Sequence, residues 1–525
     1  MESSCVRYDD LPHVSRLFLD YLYHFERLSS FYSHPPLEEA SFQESAATLD
    51  FPDQKREVLV RALGVHNRGN PALDSLARAG TVAVVTGQQV GLFSGPAYTI
   101  YKALTAVRLA RRLSERGIPA VPVFWLATED HDFAEVGHCW VFDNSHSPVR
   151  LDAGGDGDGT QPAGCVSITA SPVEPLRAAL AGFPHGEEVA AMAGDAYQEG
   201  ATFGEAFRKL LQSLLPDLGL LYLDPMLPEI RALTAPLIRT ALEAAPDLSE
   251  ALLVRTRELE RLGYHGQVHV APDTSLVFAL EGGRRLALKR NGREYLGGGR
   301  RFSTRELMDR AETLSPNALL RPVVQDSILP TVAYVGGPAE LAYLAQAQAI
   351  YQVLLGRMPV AVSRAGFTLL DGRSAKLMRR YQLGLPDFYH GLEPLRERMA
   401  HAITPPALLH QIEQTKAAVS AALDPLEHAL GAFDVTLREA FQKSRSKIEY
   451  QIAKTARKAA RQALVRDQRA AADAAYLYGL IYPGKQLQER VYSILPFLAR
   501  HGLELVPALY ENVSLECPGH RLMMI

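Results

Sequence analysis

Two short apolar runs on either side of an amphipathic helix constrain the fold of this chain most strongly. The runs are TVAVVTG at 81–87 and AVPVFWLA at 120–127, and the helix between them is predicted from about Ala97 to Glu115. Continuous β-branched and apolar runs of this length are typical of strands that are buried on both faces. A strand, a helix and a second strand at this spacing form a βαβ unit, so the sequence predicts a parallel, doubly wound α/β sheet.

Two further apolar runs extend this sheet and help to divide the chain. TVAYVGG at 331–337 and MPVAVSR at 358–364 are predicted strands, with a helix over 339–355 between them. The intervening stretch changes character, because it contains a glycine-rich predicted loop at 153–164 followed by helices and short strands. The predicted division is 1–150 and 326–385 for the core, 151–325 for inserted subdomains, 386–475 for a helical coiled-coil domain and 476–525 for a helical return onto the core.

The segment between about 390 and 475 is predicted to be almost entirely helical. Its apolar residues recur at steps of three, four and seven, the pattern of a coiled coil. They are Leu430, Phe433, Leu437, Phe441, Ile448 and Ile452. Between Leu437 and Ala470 there are ten basic residues and only three acidic ones. The basic residues form either a solvated side of the helix or, in part, a surface that binds a phosphate. The apolar stripe predicts a homodimer.

Composition and charge exclude several classes of protein. With 47% hydrophobic and 22% charged residues, the chain is globular rather than disordered. A net charge of −4 argues against nucleic acid as a dedicated partner. No run approaches the length of a membrane span and the first residues do not resemble a signal peptide, so we expect no membrane partner and a cytoplasmic location. The scattered Cys5, Cys139, Cys165 and Cys517 indicate neither a disulfide framework nor a bound zinc.

The most unusual stretch is TGQQVGLFSGPAYTIYK at 86–102, directly after the first strand. Its glycines would let the backbone approach a ligand closely, and the helix that begins near Pro96 would offer free N–H groups to an anion. The stretch lacks the GK[ST] of a phosphate-binding P-loop, so a tight turn before a surface helix is the alternative. The candidate binding residues here are Gly87, Gln88, Gln89, Ser94, Gly95, Tyr98 and Lys102.

An acidic cluster, ATEDHDFAEV at 127–136, follows the second strand. Several carboxylates beside an imidazole suit a metal, a general base or recognition of a substrate ammonium group. The alternative is a helix N-terminus whose acids complement the helix dipole, and this interpretation accounts for Glu135. The remaining candidates are Glu129, Asp130, His131 and Asp132, and we assign no metal ligand among them.

The stretch AYVGGPAELAYLAQ at 333–346 repeats the order of strand, glycines and helix on the third strand. Because the carboxyl ends of parallel strands meet at one sheet edge, its polar residues should face the same crevice as the two earlier stretches. Arg364, after the fourth strand, could neutralise a carboxylate or a phosphate there. The candidates are Tyr334, Gly336, Gly337, Glu340, Tyr343 and Arg364.

Four motifs together resemble the BshC family, the cysteine-adding enzymes of bacillithiol biosynthesis. They are TGQQVGLFSGPAYTIYK, PVFWLATEDHDFAEV, AYVGGPAELAYLAQ and YPGKQLQERV, and they follow one another over nearly the whole chain. The resemblance implies a Rossmann-like core with connecting-peptide insertions, similar to class I aminoacyl-tRNA synthetases and pantothenate synthetases. It also implies an α-helical coiled-coil domain that pairs two subunits.

The reaction that this resemblance implies is the final step of bacillithiol biosynthesis, in which the carboxyl of L-cysteine joins the amine of glucosaminyl-malate. Amide formation is uphill in water, so ATP with Mg²⁺ is the expected cosubstrate by analogy. Lys102 and Arg364 would supply positive charge. Asp130, His131 or Asp132 would bind the cysteine ammonium or deprotonate the attacking amine.

Two other classes of protein remain compatible with the residues alone. A metal-dependent hydrolase or nucleotidyltransferase could use the EDHD cluster at 129–132 and would lose its activity on chelation. A non-catalytic scaffold would need only the coiled coil and would tolerate changes at Asp130 and Lys102.

Overall fold

Residues 3–154 and 159–525 are described by the structure, a computed structural model, and they form helices and strands in mixed order. The strands are β1 (Ser3–Arg7), β2 (Val82–Gln89), β3 (Ala120–Ala127), β4 (His138–Phe142), β5 (Pro148–Asp152), β6 (Leu221–Leu223), β7 (Thr274–Glu281), β8 (Arg284–Asn291), β9 (Glu294–Gly297), β10 (Arg300–Ser303), β11 (Leu314–Pro316), β12 (Thr331–Gly336), β13 (Val360–Ser363), β14 (Gly366–Leu370) and β15 (Gly519–Met524). The helices are α1 (Arg16–Tyr23), α2 (Glu39–Ala47), α3 (Asp53–Leu63), α4 (Pro71–Leu76), α5 (Tyr98–Glu115), α6 (Phe133–Val136), α7 (Val173–Ala179), α8 (Gly186–Ala196), α9 (Phe203–Leu214), α10 (Pro228–Glu243), α11 (Ala245–Arg261), α12 (Thr304–Asp309), α13 (Arg321–Ile328), α14 (Pro338–Leu354), α15 (Gly372–Arg380), α16 (Leu392–Ile403), α17 (Pro406–Phe433), α18 (Val435–Arg466), α19 (Gln468–Ile481), α20 (Gln488–Val491), α21 (Leu495–His501) and α22 (Leu505–Asn512).

A parallel sheet in the order β13-β12-β2-β3-β6 forms the core and confirms the predicted doubly wound fold. Its strands are buried on both faces, because Ala83 and Val85 pack into one hydrophobic core and Val84 packs into another on the opposite face. The chain runs outward from β2 through β3 to β6 and then returns to β12 on the other side of β2. The strand order therefore reverses beside β2, which is where ligands bind in open α/β sheets.

The fifth strand of this sheet, β6, was missed by the sequence prediction. It lies inside the predicted insertion 151–325 and pairs with β3 through Val123 and Leu221. Three residues are too few to give a recognisable strand pattern. The insertion is therefore two segments on either side of a core strand. Within the predicted loop at 153–164, residues 155–158 lie outside the described residues.

Three other sheets surround the core sheet, one with five strands, one with three and one with two. The antiparallel sheet β10-β9-β8-β7-β11 belongs to the second inserted segment, and β4 and β5 form a hairpin. In the third sheet, β15 lies between β1 and β14. The predicted helical return over 476–525 thus contains α20, α21 and α22 but ends in a strand.

The long helices α17 and α18 form the coiled-coil arm. They join at Asp434, whose side chain caps α18 by accepting from the Thr436 amide, and neither helix has a buried residue. Arg445 on α18 forms ion pairs with Asp424 and Glu427 on α17. For this one basic residue, the structure favours the solvated, ion-paired interpretation. No helix in the described ranges has the length and apolar character needed to span a membrane.

A buried histidine, His146, follows the β4 strand and contacts the C-terminal segment. Its ring stacks on Phe142 with 5.0 Å between ring centroids, and Arg500 donates to its Nε2 over 2.9 Å. Burial, followed by the charge of Arg500, lowers the pKa of His146 to about 4 from an ordinary 6.5. The folded chain therefore holds this ring neutral.

We predict that His146 makes the protein less stable in acid. The unfolded chain takes up the proton near pH 6.5 and the folded chain only near pH 4, so stability present above pH 6.5 is lost as the pH falls between these values. Between pH 7 and pH 4.5 the wild type should lose about 2–3 kcal/mol more than His146→Gln. Urea unfolding of both proteins at the two pH values measures this difference. Equal losses in both proteins would contradict it.

Candidate active site at the carboxyl ends of the strands

A cavity of about 700 Å³ lies at the carboxyl ends of β2, β3 and β12, where the strand order reverses. The inserted sheet around β7 and β8 and the first turns of α13 and α14 close its other sides. The lining residues are Gly87, Gln88, Gln89, Tyr98, Lys102, Trp125, Ala127, Glu129, Asp130, His131, Glu135, Val268, Thr274, Ser275, Phe278, Arg285, Pro316, Asn317, Ala318, Arg321, Tyr334, Gly337, Pro338, Ala339, Glu340, Tyr343, Arg364 and Arg490. Three of the four sequence motifs contribute to it as strand ends, and the fourth contributes Arg490 at the rim.

Lys102 forms the floor of the cavity from the first turns of α5. Its ammonium donates to the carbonyl of Gly87 over 2.9 Å and to Oε1 of Gln88 over 2.8 Å, and it forms an ion pair with Glu340. The side chain is buried. Lys102 therefore joins the end of β2 to the start of α14 across the place where the strand order reverses.

Glu340 is the other half of this buried ion pair. One carboxylate oxygen accepts from the Gly337 amide over 2.8 Å and the other accepts from the Tyr334 hydroxyl over 2.6 Å. Burial works to raise the pKa of Glu340, but Lys102 and these hydrogen bonds outweigh it and the net pKa is lowered. Burial also lowers the pKa of Lys102, against the opposing effect of Glu340. Glu340 is thus a carboxylate, and Lys102 gives up its proton more readily than an exposed lysine.

Asp130 is held at the end of β3 with part of its carboxylate open to the cavity. Gln89 donates to its Oδ2 over 2.7 Å and to Glu135 Oε2 over 3.0 Å. The backbone amide of His131 donates to Asp130 Oδ1 over 2.8 Å. These contacts fix the direction of the carboxylate while one third of the side chain stays exposed.

The predicted roles of Asp132 and Glu135 are exchanged in the structure. Asp132 is the residue that caps α6, accepting from the Glu135 amide over 3.0 Å, and it does not line the cavity. Glu135, which the sequence assigned to the helix dipole, lines the cavity. The two acids are three residues apart in the chain, and the position at which α6 begins decides which of them caps the helix and which lines the cavity.

Glu129 lines the cavity, yet its carboxylate is committed to another partner. It forms a buried ion pair with Arg231 of α10, with 2.7 Å between Oε1 and Nη2. Burial raises the pKa of Glu129 and Arg231 opposes this. In the part of the chain that the structure describes, no three His, Cys, Asp or Glu side chains converge as a metal site would require. The residues of the EDHD cluster instead contact different partners.

Arg285, on β8 of the inserted sheet, was not found by sequence reasoning. Its Nη1 lies 3.1 Å from His131 Nδ1 and 3.5 Å from Asp130 Oδ1, and its guanidinium lies 4.0 Å from the centroid of the Phe278 ring. Because a guanidinium only donates, His131 Nδ1 accepts and the ring proton of neutral His131 is on Nε2. Burial lowers the pKa of Arg285. The contact joins positions 154 residues apart, and no local pattern reports it.

Arg321, at the start of α13, is the second functional candidate that the sequence prediction missed. It donates to the hydroxyl of Tyr343 over 2.9 Å and to that of Tyr334 over 3.3 Å. In the sequence it precedes Pro322, a common arrangement at an ordinary helix start. Arg321 adds a second cation to the side of the cavity that is formed by Lys102 and Glu340.

Arg364 lies at the edge of the cavity, as expected, but it already has a carboxylate partner within the protein. Its guanidinium bonds Glu489 of α20 through two contacts, 2.7 Å and 3.0 Å, and both side chains are buried. Glu489 also accepts from the Phe367 amide over 2.9 Å. The pKa of Glu489 is lowered, since Arg364 outweighs burial. Glu489 lies inside the YPGKQLQERV motif, so this motif fixes the position of the Arg364 guanidinium.

The expected anion site at the N-terminus of α5 does not fit the structure. The Ala97 amide donates to the Tyr492 carbonyl over 2.7 Å, and the Ile100 amide donates back to Ala97. Ser94 is fully buried, Gly95 forms the turn behind it with φ of 64°, and neither lines the cavity. Of the other three candidate glycines, Gly87 and Gly337 line the cavity and Gly336 does not. The amides of Ala97, Thr99 and Ile100 already have acceptors, so they are not available to an anion.

We predict strong coupling between Lys102 and Glu340 in stability. Removing one partner leaves a buried charge unpaired, so Lys102→Met and Glu340→Gln should each cost about 3 kcal/mol. The double variant should cost less than the sum by about 1–3 kcal/mol. Urea unfolding followed by tryptophan fluorescence gives the four free energies. The matched control is the exposed pair Glu294 and Arg301, whose coupling should stay below about 0.5 kcal/mol; equal coupling for both pairs would refute the prediction.

Comparison with known families agrees with this architecture. The family model described as bacillithiol biosynthesis BshC, N-terminal Rossmann-like domain, matches residues 1–365, and the C-terminal coiled-coil domain of the same family matches residues 367–524. Relatives named "Putative cysteine ligase BshC" include one from Solibacter usitatus, 56% identical over 100% of both chains, and one from Koribacter versatilis, 37% identical over 100% of both. A third, from Salinibacter ruber, is 31% identical and covers 97% of this chain and 96% of its own. The Rossmann-like sheet, the helical arm and these matches together show that the chain belongs to the BshC family.

Proposed function

We propose that the protein is a cysteine ligase that joins the carboxyl of L-cysteine to the amine of glucosaminyl-malate in the final step of bacillithiol biosynthesis. One observation carries this proposal: a single cavity, where the strand order reverses, has a carboxylate wall with Asp130 and Glu135 and a cationic wall with Lys102 and Arg321. A ligase of this kind has to hold a substrate ammonium group and several substrate carboxylates together. The names of the relatives support the same reaction class. A cytoplasmic location is part of the proposal.

The carboxylate wall suits the two amines of the reaction. Asp130 has a fixed carboxylate with one exposed side, which can bind the cysteine ammonium or accept a proton from the attacking amine. At Nδ1, His131 is not available to accept a proton from a substrate, because that atom already accepts from Arg285. In its neutral form it offers the Nε2 proton instead, so it acts as a hydrogen-bond donor to an oxygen. The roles of base and donor thus divide between adjacent residues.

The cationic wall suits the carboxylates of glucosaminyl-malate and the phosphates of ATP. Arg321 is held by Tyr343 on this wall, Arg285 contacts Asp130 and His131, and Arg490 is exposed at the rim. A guanidinium binds carboxylate or phosphate through two parallel hydrogen bonds. Arg364 is less available, since Glu489 already satisfies it.

ATP with Mg²⁺ is part of the proposal as a cosubstrate, and when bound it would supply the activated form of the cysteine carboxyl. The residues that fit its phosphates are the side chains of Arg321 and Arg490, because the amides of Ala97, Thr99, Ile100 and Gly337 already have acceptors. Lys102 already donates to Gly87 and Gln88 and is paired with Glu340, so it contributes positive charge rather than a free donor. No zinc is part of the proposal.

We predict that purified protein converts L-cysteine and glucosaminyl-malate to bacillithiol when ATP and Mg²⁺ are present. Asp130→Asn should lower kcat/KM by about 10²- to 10³-fold, because it removes both the charge and the base. Mass spectrometry measures the product, and the nucleotide product separates the two modes of activation. AMP indicates an acyl-adenylate, and ADP indicates an acyl-phosphate.

The matched control is Asp195→Asn, an exposed carboxylate on α8 outside the cavity, which should retain wild-type activity. Full activity of Asp130→Asn would remove Asp130 from the chemistry. Absence of bacillithiol, together with no measurable binding of glucosaminyl-malate, would refute the proposed reaction.

We also propose that the arm pairs two copies of the chain. Its helices expose large apolar side chains that a lone protein would normally cover, and Phe433 at the tip is 84% exposed. On α18, Leu437 and Ile448 are eleven residues apart, so they lie on one face of the helix. Such a face is typical of a helix that packs against a second copy.

We predict a homodimer by light scattering at micromolar concentration. Leu437→Glu combined with Ile448→Glu should convert it to a monomer, because four charges would be buried in the paired arms. Ser446→Glu, on the opposite face of α18, should leave the dimer intact. A monomeric mass for the wild type would contradict the prediction.

A further inference from the structure

The two cysteines that are farthest apart in the chain lie side by side. Cys5 on β1 and Cys517, just before β15, have 2.6 Å between their Sγ atoms, and both side chains are exposed. β1 and β15 are antiparallel neighbours, with Val6 opposite His520. Sequence spacing gave no sign of this pair, because 512 residues separate the two positions.

Local packing keeps the two sulfur atoms together. Gly519 pairs with Arg7, and a β-carbon at position 519 would collide with Sγ of Cys5 and with the carbonyl of Val6. On the other side, the Cys517 amide donates to Ser514 Oγ over 3.2 Å, and the Gly519 amide donates to the Cys517 carbonyl over 2.8 Å. The turn before β15 is thereby fixed with the thiol directed at Cys5.

We propose that Cys5 and Cys517 form a redox-active dithiol that a low-molecular-weight disulfide oxidises to an intramolecular disulfide. The two Sγ atoms are 2.6 Å apart, close to the roughly 2.05 Å of a disulfide bond, and both thiols are exposed. The other cysteines differ, since Cys139 is buried and Cys165 is half-buried. The inference rests on this pair alone and does not depend on the reaction proposed above.

The chemistry is thiol–disulfide exchange in two steps. Burial, and then contact with Cys517, raises the pKa of Cys5 to about 11, so Cys5 is protonated at neutral pH. The Cys517 thiolate attacks the small disulfide RSSR, which gives a mixed disulfide and releases RS⁻. Cys5 then loses its proton and attacks the Cys517 sulfur, which releases the second RS⁻. In sum, two protein thiols and RSSR become one protein disulfide and two RSH.

A cation favours the second step. Arg521 is paired with Cys5 across the two strands, and its guanidinium bonds Ser3 over 3.0 Å. Its charge works to lower the pKa of Cys5, against burial and the neighbouring sulfur. Arg521 therefore stabilises the Cys5 thiolate when that thiol must react.

The test uses the full-length protein incubated with oxidised glutathione, trapped with N-ethylmaleimide and digested with trypsin without reduction. In the wild type we expect a linked pair of peptides, one ending at Arg7 and one spanning 501–521, with a mass two hydrogens below the sum of the free thiol peptides. Cys5→Ser and Cys517→Ser should lose this species. Cys165→Ser should keep it and is the matched control. Far-UV circular dichroism confirms that each variant is folded.

The single variants also separate the two steps. Cys5→Ser should accumulate the glutathione adduct on Cys517, since no second thiol resolves it. In the wild type, the linked peptides should replace that adduct and should disappear on reduction with dithiothreitol. If wild-type Cys5 and Cys517 instead carry only maleimide, or each keeps its own glutathione, after incubation long enough to modify Cys517 in Cys5→Ser, the proposal is overturned.

Discussion

The buried ion pair between Lys102 and Glu340 is the contact on which the rest of the site depends. It joins the helix after β2 to the helix after β12, on the two sides of the reversal in strand order. Without a lysine at this depth, Glu340 would be an unpaired carboxylate whose other contacts hold Gly337 and Tyr334. Two buried charges are costly to place, so the geometry of both helices is strongly constrained relative to each other. The cavity takes its shape from that constraint.

The strands and the position of the crevice could be predicted from the sequence because their signals are local. The four apolar runs correspond to β2, β3, β12 and β13, and the polar residues after three of them do line one cavity. Short or exchangeable features could not be predicted. β6 has only three residues, and the acid that caps α6 differs from the acid that faces the crevice by one helical turn.

Contacts between distant segments account for the rest. Arg285 and Arg321 come from the second inserted segment and from the helix before β12, and neither stands out among the many arginines of the chain. Glu489, which forms the ion pair with Arg364, lies in the motif YPGKQLQERV. Nothing in that motif marks this glutamate as the partner of a distant arginine. The same holds for Cys5 and Cys517, which only the pairing of β1 with β15 brings together. Distances of this kind depend on the completed fold rather than on any periodicity.

The amides of Ala97 and Gly337, just before α5 and α14, already have acceptors, and this has a consequence for how such a site can change during evolution. Where backbone amides hold an anion, the binding geometry is part of the fold and varies little. In the proposed function, long side chains on an inserted sheet and on helix ends would take that place. One substitution at Arg285 or Arg490 can therefore change which substrate is accepted while the Rossmann-like sheet stays the same. In chains of this architecture, specificity can diverge faster than the fold.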